Sequence, residues 1–153
     1  RNGNLDIVII SIPQYSIKDL KINYIKDLND IFVGGTNYKN KKYPNINALL
    51  QEEILLQKTP SVTRTNLDNY LKNNNLTCTP KMEVVSHNLL TKLIESNFGI
   101  GLLTKEFISE KLNNTLYEIK IPEKIPKRKL GYVIKNDTYP SFTTKSFIEI
   151  MSK

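Results

Sequence analysis

The sequence predicts an α/β fold with a mainly parallel sheet, and three observations lead there. Short apolar runs recur, such as Ile7-Val8-Ile9-Ile10 and Ile54-Leu55-Leu56. Between them lie stretches whose apolar residues return at helical spacing, such as Leu89, Leu90, Leu93 and Ile94. Glycine, proline and Ser/Thr/Asn clusters punctuate the two kinds of segment. A length of 153 residues favours one domain or two small lobes. With 39% apolar and 24% charged residues, the chain has the composition of a globular protein.

The elements follow in order. Leu5 to Ile10 is an apolar run but for Asp6, which suits a central parallel strand covered on both faces. A connector with Pro13 and Tyr15 leads to a second strand at Asp30 to Gly35. Tyr38 to Tyr43 is polar and lysine-rich, hence a loop. Ile46 to Leu50 reads as a short helix opened by Asn45, and Ile54 to Leu56 as a short buried strand. After Pro60-Ser61, Thr63 or Thr65 caps a helix carrying Leu67, Tyr70 and Leu71, which the run Asn73-Asn74-Asn75 ends. Lys81 to Val85 is a strand, and Ser86 caps the helix with the apolar face Leu89, Leu90, Leu93 and Ile94. Phe98 to Leu103 is a glycine-punctuated turn into a strand, after which Thr104 opens a short helix over Glu106 to Lys111. Tyr117 to Ile121 alternates as a strand, Pro122 and Pro126 mark a crossing segment, and Lys129 to Ile134 is a further strand. A helix from Ser141 to Met151 closes the chain.

Charge and composition exclude several functions. The formal charge is +7, but the basic residues are spread along the chain. The densest groups are Lys39, Lys41 and Lys42, then Lys124, Lys127, Arg128 and Lys129, and neither is interleaved with aromatics. Only three of the 22 basic residues are arginine, the residue suited to bidentate contacts with phosphates and bases. They read as solvated surface charge rather than a nucleic-acid face. Cys78 is the single cysteine, so no internal disulfide forms, in keeping with a reducing, cytoplasmic setting. His87 is the single histidine, and no acidic cluster has ligand spacing, so no metal and no cofactor is expected. No apolar run reaches the length of a membrane span, so no membrane association is expected. The first residue is Arg1 rather than methionine, which fits a fragment or a processed protein.

Four segments together resemble the effector-binding domain of LysR-type bacterial transcriptional regulators. The first is Gly3-Asn4-Leu5-Asp6 before the apolar strand. The second is Leu50 to Asp68, a strand, a loop with Pro60 and a Ser/Thr/Arg stretch opening a helix. The third is Val85-Ser86, an apolar helix and then Gly99-Ile100-Gly101-Leu102-Leu103. The fourth is the strand Lys129 to Ile134 followed by the helix Ser141 to Met151. No piece is specific alone, but the order covers essentially the whole chain. Thr104 stands where the family usually has a proline.

The resemblance implies a two-lobe fold of the type II periplasmic-binding-protein kind, with a small ligand between the lobes. Residues 1–25 plus 123–153 would form lobe I, and residues 26–122 lobe II. The family's opening strand–helix–strand has no counterpart here, so the first lobe is expected to be incomplete. Its winged helix-turn-helix is likewise absent, so DNA would be reached only through a domain outside this chain. The expected partner is a small-molecule effector, anions among the candidates. Association into a homodimer or tetramer is the family habit.

Helix N-termini carry free N–H groups and a favourable dipole for an anion, and open α/β sheets bind ligands beyond their strand ends. Two such starts are visible, Thr63-Arg64-Thr65 and Ser86-His87-Asn88. With Ser11 after the first strand and the backbone of Gly99, Ile100 and Gly101, these residues are the candidate ligand site. Each has an ordinary reading beside it: caps for the hydroxyls, a surface ion pair for Arg64, a structural or exposed role for His87, and turn or packing roles for the glycines.

No catalytic residue is expected. No G-x-S-x-G elbow and no phosphate-binding glycine loop occur, and Glu52-Glu53 are adjacent and point apart. Two other classes compete with a sensing domain. One is a solute-binding protein of a transport system on the same fold, which an upstream signal peptide would reveal. The other is an enzyme using His87 with Cys78 or a serine, which replacement of His87 and Cys78 would test.

Overall fold

A computed structural model describes residues 7–12 and 22–134. The anticipated connector around Pro13 and Tyr15 and the terminal helix from Ser141 to Met151 lie outside them. The chain divides into two compact units, Arg1–Leu28 with Lys127–Lys153, and Asn29–Pro126.

In the first unit, β1 (Ile7–Ser11), β2 (Ile22–Leu28) and β8 (Arg128–Ile134) form a sheet in the order β1-β8-β2. Both pairings are antiparallel, with Ile9 opposite Tyr132 and Asn23 also opposite Tyr132. The first apolar run is therefore a strand, as expected, but an antiparallel one. β2 is an addition to the expected elements. Its register shifts between Tyr24 and Lys26, so Ile25 and Leu28 both turn inward and pack with Leu130. The bulge gives the strand a three-residue apolar spacing in place of alternation.

The second unit is a five-stranded mixed sheet in the order β5-β4-β6-β3-β7. Its strands are β3 (Asp30–Gly34), β4 (Ile54–Gln57), β5 (Met82–Val84), β6 (Ile100–Thr104) and β7 (Tyr117–Glu118). β4 runs parallel to β5 and β6, whereas β3 is antiparallel to β6 and β7. Successive strand residues face opposite sides, and the core divides accordingly. Phe32, Ile54, Leu56, Ile100 and Leu102 meet Leu67 and Leu71 of α2 (Val62–Asn73) on one face. Val33, Leu55 and Leu103 meet Leu90 and Ile94 of α3 (His87–Glu95) on the other. Both faces of the sheet are thus covered, which explains the continuous apolar runs of β4 and β6.

The caps decide where helices begin. Asn45 opens α1 (Ile46–Leu49) as expected, its side chain accepting from the Ala48 N–H at 2.8 Å. Ser86 opens α3 as expected, accepting from the Leu89 N–H at 3.2 Å. α2 corrects the expectation: its cap is Ser61, which accepts from the Arg64 N–H at 3.3 Å, and Thr63 and Thr65 lie inside the first turns. Thr104 stands at an N-cap position but makes no side-chain cap hydrogen bond. Only a single 3-10 turn, Lys105–Phe107, follows it, and its buried hydroxyl donates to Asp30 Oδ1 at 2.9 Å. Among the described residues, every non-glycine residue with positive φ is an asparagine: Asn40, Asn75, Asn97 and Asn113. Asparagine tolerates the left-handed region, so these turns need no glycine.

At the last residue of α3, the Glu95 carboxylate accepts from the Thr115 hydroxyl and pairs with Lys111 at 3.2 Å. The Thr115 hydrogen bond, with Lys111 adding to it, holds the carboxyl below its ordinary range. A depressed pKa stabilises the fold above the unfolded value and loses that contribution as pH falls through the folded one. Glu95→Gln is therefore expected to narrow the stability difference between neutral and acid pH. Urea midpoints of both proteins from pH 7 to pH 3 would show it, and parallel curves would contradict it.

Candidate functional site

β4 and β5 run side by side in the same direction, with Gln57 opposite Val84 at their carboxyl ends. α2 and α3 begin a few residues beyond, so both helix N-termini open on one edge of the sheet. β6 ends there as well, at Thr104. This is the edge where open α/β sheets bind ligands.

Gln57 joins the two helix starts, and nothing in its sequence setting marked it. Its Oε1 accepts from the Ser61 hydroxyl at 3.2 Å, and its Nε2 donates to the Val85 carbonyl at 3.1 Å. Ser61 thus donates to Gln57 while accepting from the first turn of α2. A polar residue ending an apolar strand looks ordinary in sequence, and only the parallel pairing reveals the bridge.

The surroundings are uncommonly apolar for a surface. Val62, Val85 and Leu89 flank the two starts and are 53%, 75% and 48% exposed. Large apolar side chains in water beside two helix N-termini make a surface suited to contact rather than to solvation alone. His87 is exposed in the first turn of α3, where its carbonyl accepts from the Thr91 hydroxyl at 2.9 Å. Thr63 is half-buried and Thr65 exposed on α2.

The Arg64 guanidinium is directed to other groups. Its Nε donates to Asp68 at 3.0 Å, and its Nη1 donates to Glu83 and to the Gln57 carbonyl. Burial works against its charge, but the hydrogen bonds to Glu83 and Asp68 prevail and hold its pKa above the ordinary value. Arg64 therefore ties α2 to the ends of β4 and β5. The nearby Cys78 thiol is half-buried, and burial raises its pKa, with the Arg64 charge opposing.

The glycine segment lies elsewhere. Gly99 stands beside Glu53, at the amino ends of β4 and β6, and a Cβ there would meet the Glu53 carbonyl oxygen at 2.5 Å. A Cβ on Gly101 would meet Ile94 Cδ1 at 2.2 Å, so this glycine lets α3 approach the sheet. Ile100 is fully buried in the core. Gly99, Ile100 and Gly101 are thus placed for packing, away from the helix starts. Ser11 ends β1 in the other unit and is exposed. Among the described residues no group of three or more His, Cys, Asp or Glu is placed to hold a metal, and no helix is long and apolar enough to cross a membrane.

A two-unit α/β domain with paired helix starts at a strand-end edge defines a class of ligand-binding domains. The whole chain, residues 1–153, matches the family described as LysR substrate binding domain, and it belongs to that family. No curated protein matches it in sequence. Solved structures share the fold at low identity. The regulatory domain of Synechocystis PCC6803 CcmR, in complex with 2-PG, is 21% identical with a TM-score of 0.74, over 99% of this chain and 74% of that one. The effector binding domain of QuiR, in complex with shikimate, is 16% identical with a TM-score of 0.73, over 98% and 71%. A reduced form of OxyR from N. meningitidis is 14% identical with a TM-score of 0.71, over 98% and 71%. The fold is accordingly the type II periplasmic-binding-protein-like fold of LysR effector-binding domains, and the chain is an effector-binding domain of that family.

Proposed function

We propose that the chain binds a small metabolite, an anionic group included, at the shared starts of α2 and α3. The observation that carries this reading is the pair of helix N-termini bridged by Gln57 and ringed by exposed Val62, Val85 and Leu89. Ser61, Thr63, Ser86 and His87 are the polar groups offered there, and Arg64 holds the α2 start in place. Ser11 is the candidate carried by the other unit. The CcmR and QuiR relatives, with 2-PG and shikimate bound, support a small-molecule effector for this chain.

The two units correspond on this reading to the two lobes of the family's fold. In the regulator to which the domain belongs, an effector favouring one arrangement over another would shift how a DNA-binding part is presented. Copies of the domain would associate, and the setting would be cytoplasmic.

A thermal-shift screen of small carboxylates, amino acids and phosphate esters tests the proposal. A ligand at about 100 times its dissociation constant adds roughly 2.7 kcal/mol of stability. Ser61→Ala with Ser86→Ala is expected to weaken a hit by about tenfold, while costing about 1 kcal/mol of stability per cap. A hit whose affinity the double variant leaves unchanged would place the site elsewhere.

A further inference from the structure

The loop over Lys39–Lys42 and the segment around β7 enclose a concavity of about 480 Å³ within the second unit. The volume falls in the range of small-molecule sites. Its charge comes from Lys41, Lys42, Lys105 and Lys120, with Glu118 as the single acid in the lining. β7 is one outer strand of the sheet and β5 the other, so this place is distinct from the helix starts beyond β4 and β5.

The lysines are held together by backbone rather than gathered by chance of rotamer. Lys42 and Lys120 face each other across an isolated parallel bridge. The Tyr43 N–H donates to the Lys120 carbonyl at 2.9 Å, and the Lys120 N–H donates to the Lys41 carbonyl at 3.2 Å. Like charges fixed opposite each other are unfavourable unless something neutralises them. Glu118 serves Lys105 and Lys120 at once, 3.7 Å from each. Among the described residues, no carboxylate lies within ion-pair distance of Lys41 or Lys42. A fifth cation, Lys39, stands 5.7 Å from the centre of the Tyr117 ring at the same place. The lining thus carries a surplus of positive charge in a space large enough for a compact ligand.

We propose that this concavity is a second ligand site, taking a small phosphate-bearing polyanion. Lysine ammonium groups bind phosphate as point charges, and a compact, multiply charged phosphate can meet several of them at once, which suits this surplus. The binding would be strongly salt-dependent, as for any exposed charge cluster.

Titration of the chain with inorganic pyrophosphate, followed by amide NMR and calorimetry, tests the proposal. Saturable shifts are expected at Lys41, Lys42, Tyr117 and Lys120. Lys42→Gln with Lys120→Gln is expected to weaken binding about tenfold or more, and Glu118→Gln to strengthen it several-fold. Lys72→Gln with Lys92→Gln, on α2 and α3, removes the same charge elsewhere and is expected to change the affinity little. Should the Lys42 and Lys120 variant misfold, the direction of the Glu118→Gln effect still decides. Absence of saturable binding, indifference to these lysines, or equal weakening by the distant pair would overturn the site. None of those results bears on the starts of α2 and α3, which stand or fall on their own screen.

Discussion

Ile94→Ala is expected to lower the stability of the second unit by about 3 kcal/mol, within the roughly 2–5 kcal/mol range for truncating a buried isoleucine. Ile94 has no exposed surface and packs in the core between α3 and the sheet. Its side chain fills the space that a Cβ on Gly101 would need, at 2.2 Å for Cδ1 and 2.9 Å for Cγ1. The two positions are therefore coupled. Gly101→Ala alone forces α3 away from β6 and is expected to cost about 1–3 kcal/mol. In the Ile94→Ala background the same methyl enters the cavity, so its cost should shrink or reverse. A double-mutant cycle from denaturant midpoints would read a coupling above about 1 kcal/mol. Additive effects would contradict the packing reading of Gly101.

Arg64→Ala is the second large effect, expected at about 2–3 kcal/mol. The arginine side chain is only 14% exposed and links α2 to the ends of β4 and β5. Its acidic partners Asp68 and Glu83 are 44% and 42% exposed, so they rehydrate when it is removed, which keeps the loss below that of a buried pair. Arg64→Lys should recover only part of the loss, because an ammonium cannot reproduce the fork to Asp68, Glu83 and the Gln57 carbonyl. Chemical unfolding of the three proteins measures this ranking. Equal stability of wild type and Arg64→Lys would show that charge alone suffices.

These residues also show what sequence makes visible. The runs of β4 and β6 are legible because burial on both faces leaves no polar residue to interrupt them. Asn45 and Ser86 are legible as caps because each stands directly before an apolar helical pattern. Ser61 is obscured by Pro60 beside it and by two threonines that follow. β2 is obscured by its bulge, which replaces the alternation that marks a strand. The direction of β1 depends on pairing with β8, over a hundred residues away, and no local pattern encodes it.

The candidate site divides in the same way. Ser86 and His87 are readable from cap position alone, since the strand before them ends where the helix begins. Gln57 is not, because its role exists only once β4 and β5 lie parallel and bring Ser61 and Val85 within its reach. Gly99 and Gly101 belong to a family-like sequence signature, yet the structure gives them packing neighbours, Glu53 and Ile94. The lysines of Lys39–Lys42 read as solvated charge, and only the bridge to Lys120 turns them into the wall of a concavity.

The most direct test of the central claim is amide NMR on the chain titrated with the strongest small-molecule stabiliser from the thermal-shift screen. The backbone N–H groups of a helix start point toward an anion bound there, so their amides sense it directly. The expected result is saturable shifts concentrated at Val62 to Arg64 and His87 to Leu89. A stabilising ligand that reaches saturation and leaves both sets of amides unmoved would contradict the assignment of the effector site to the starts of α2 and α3.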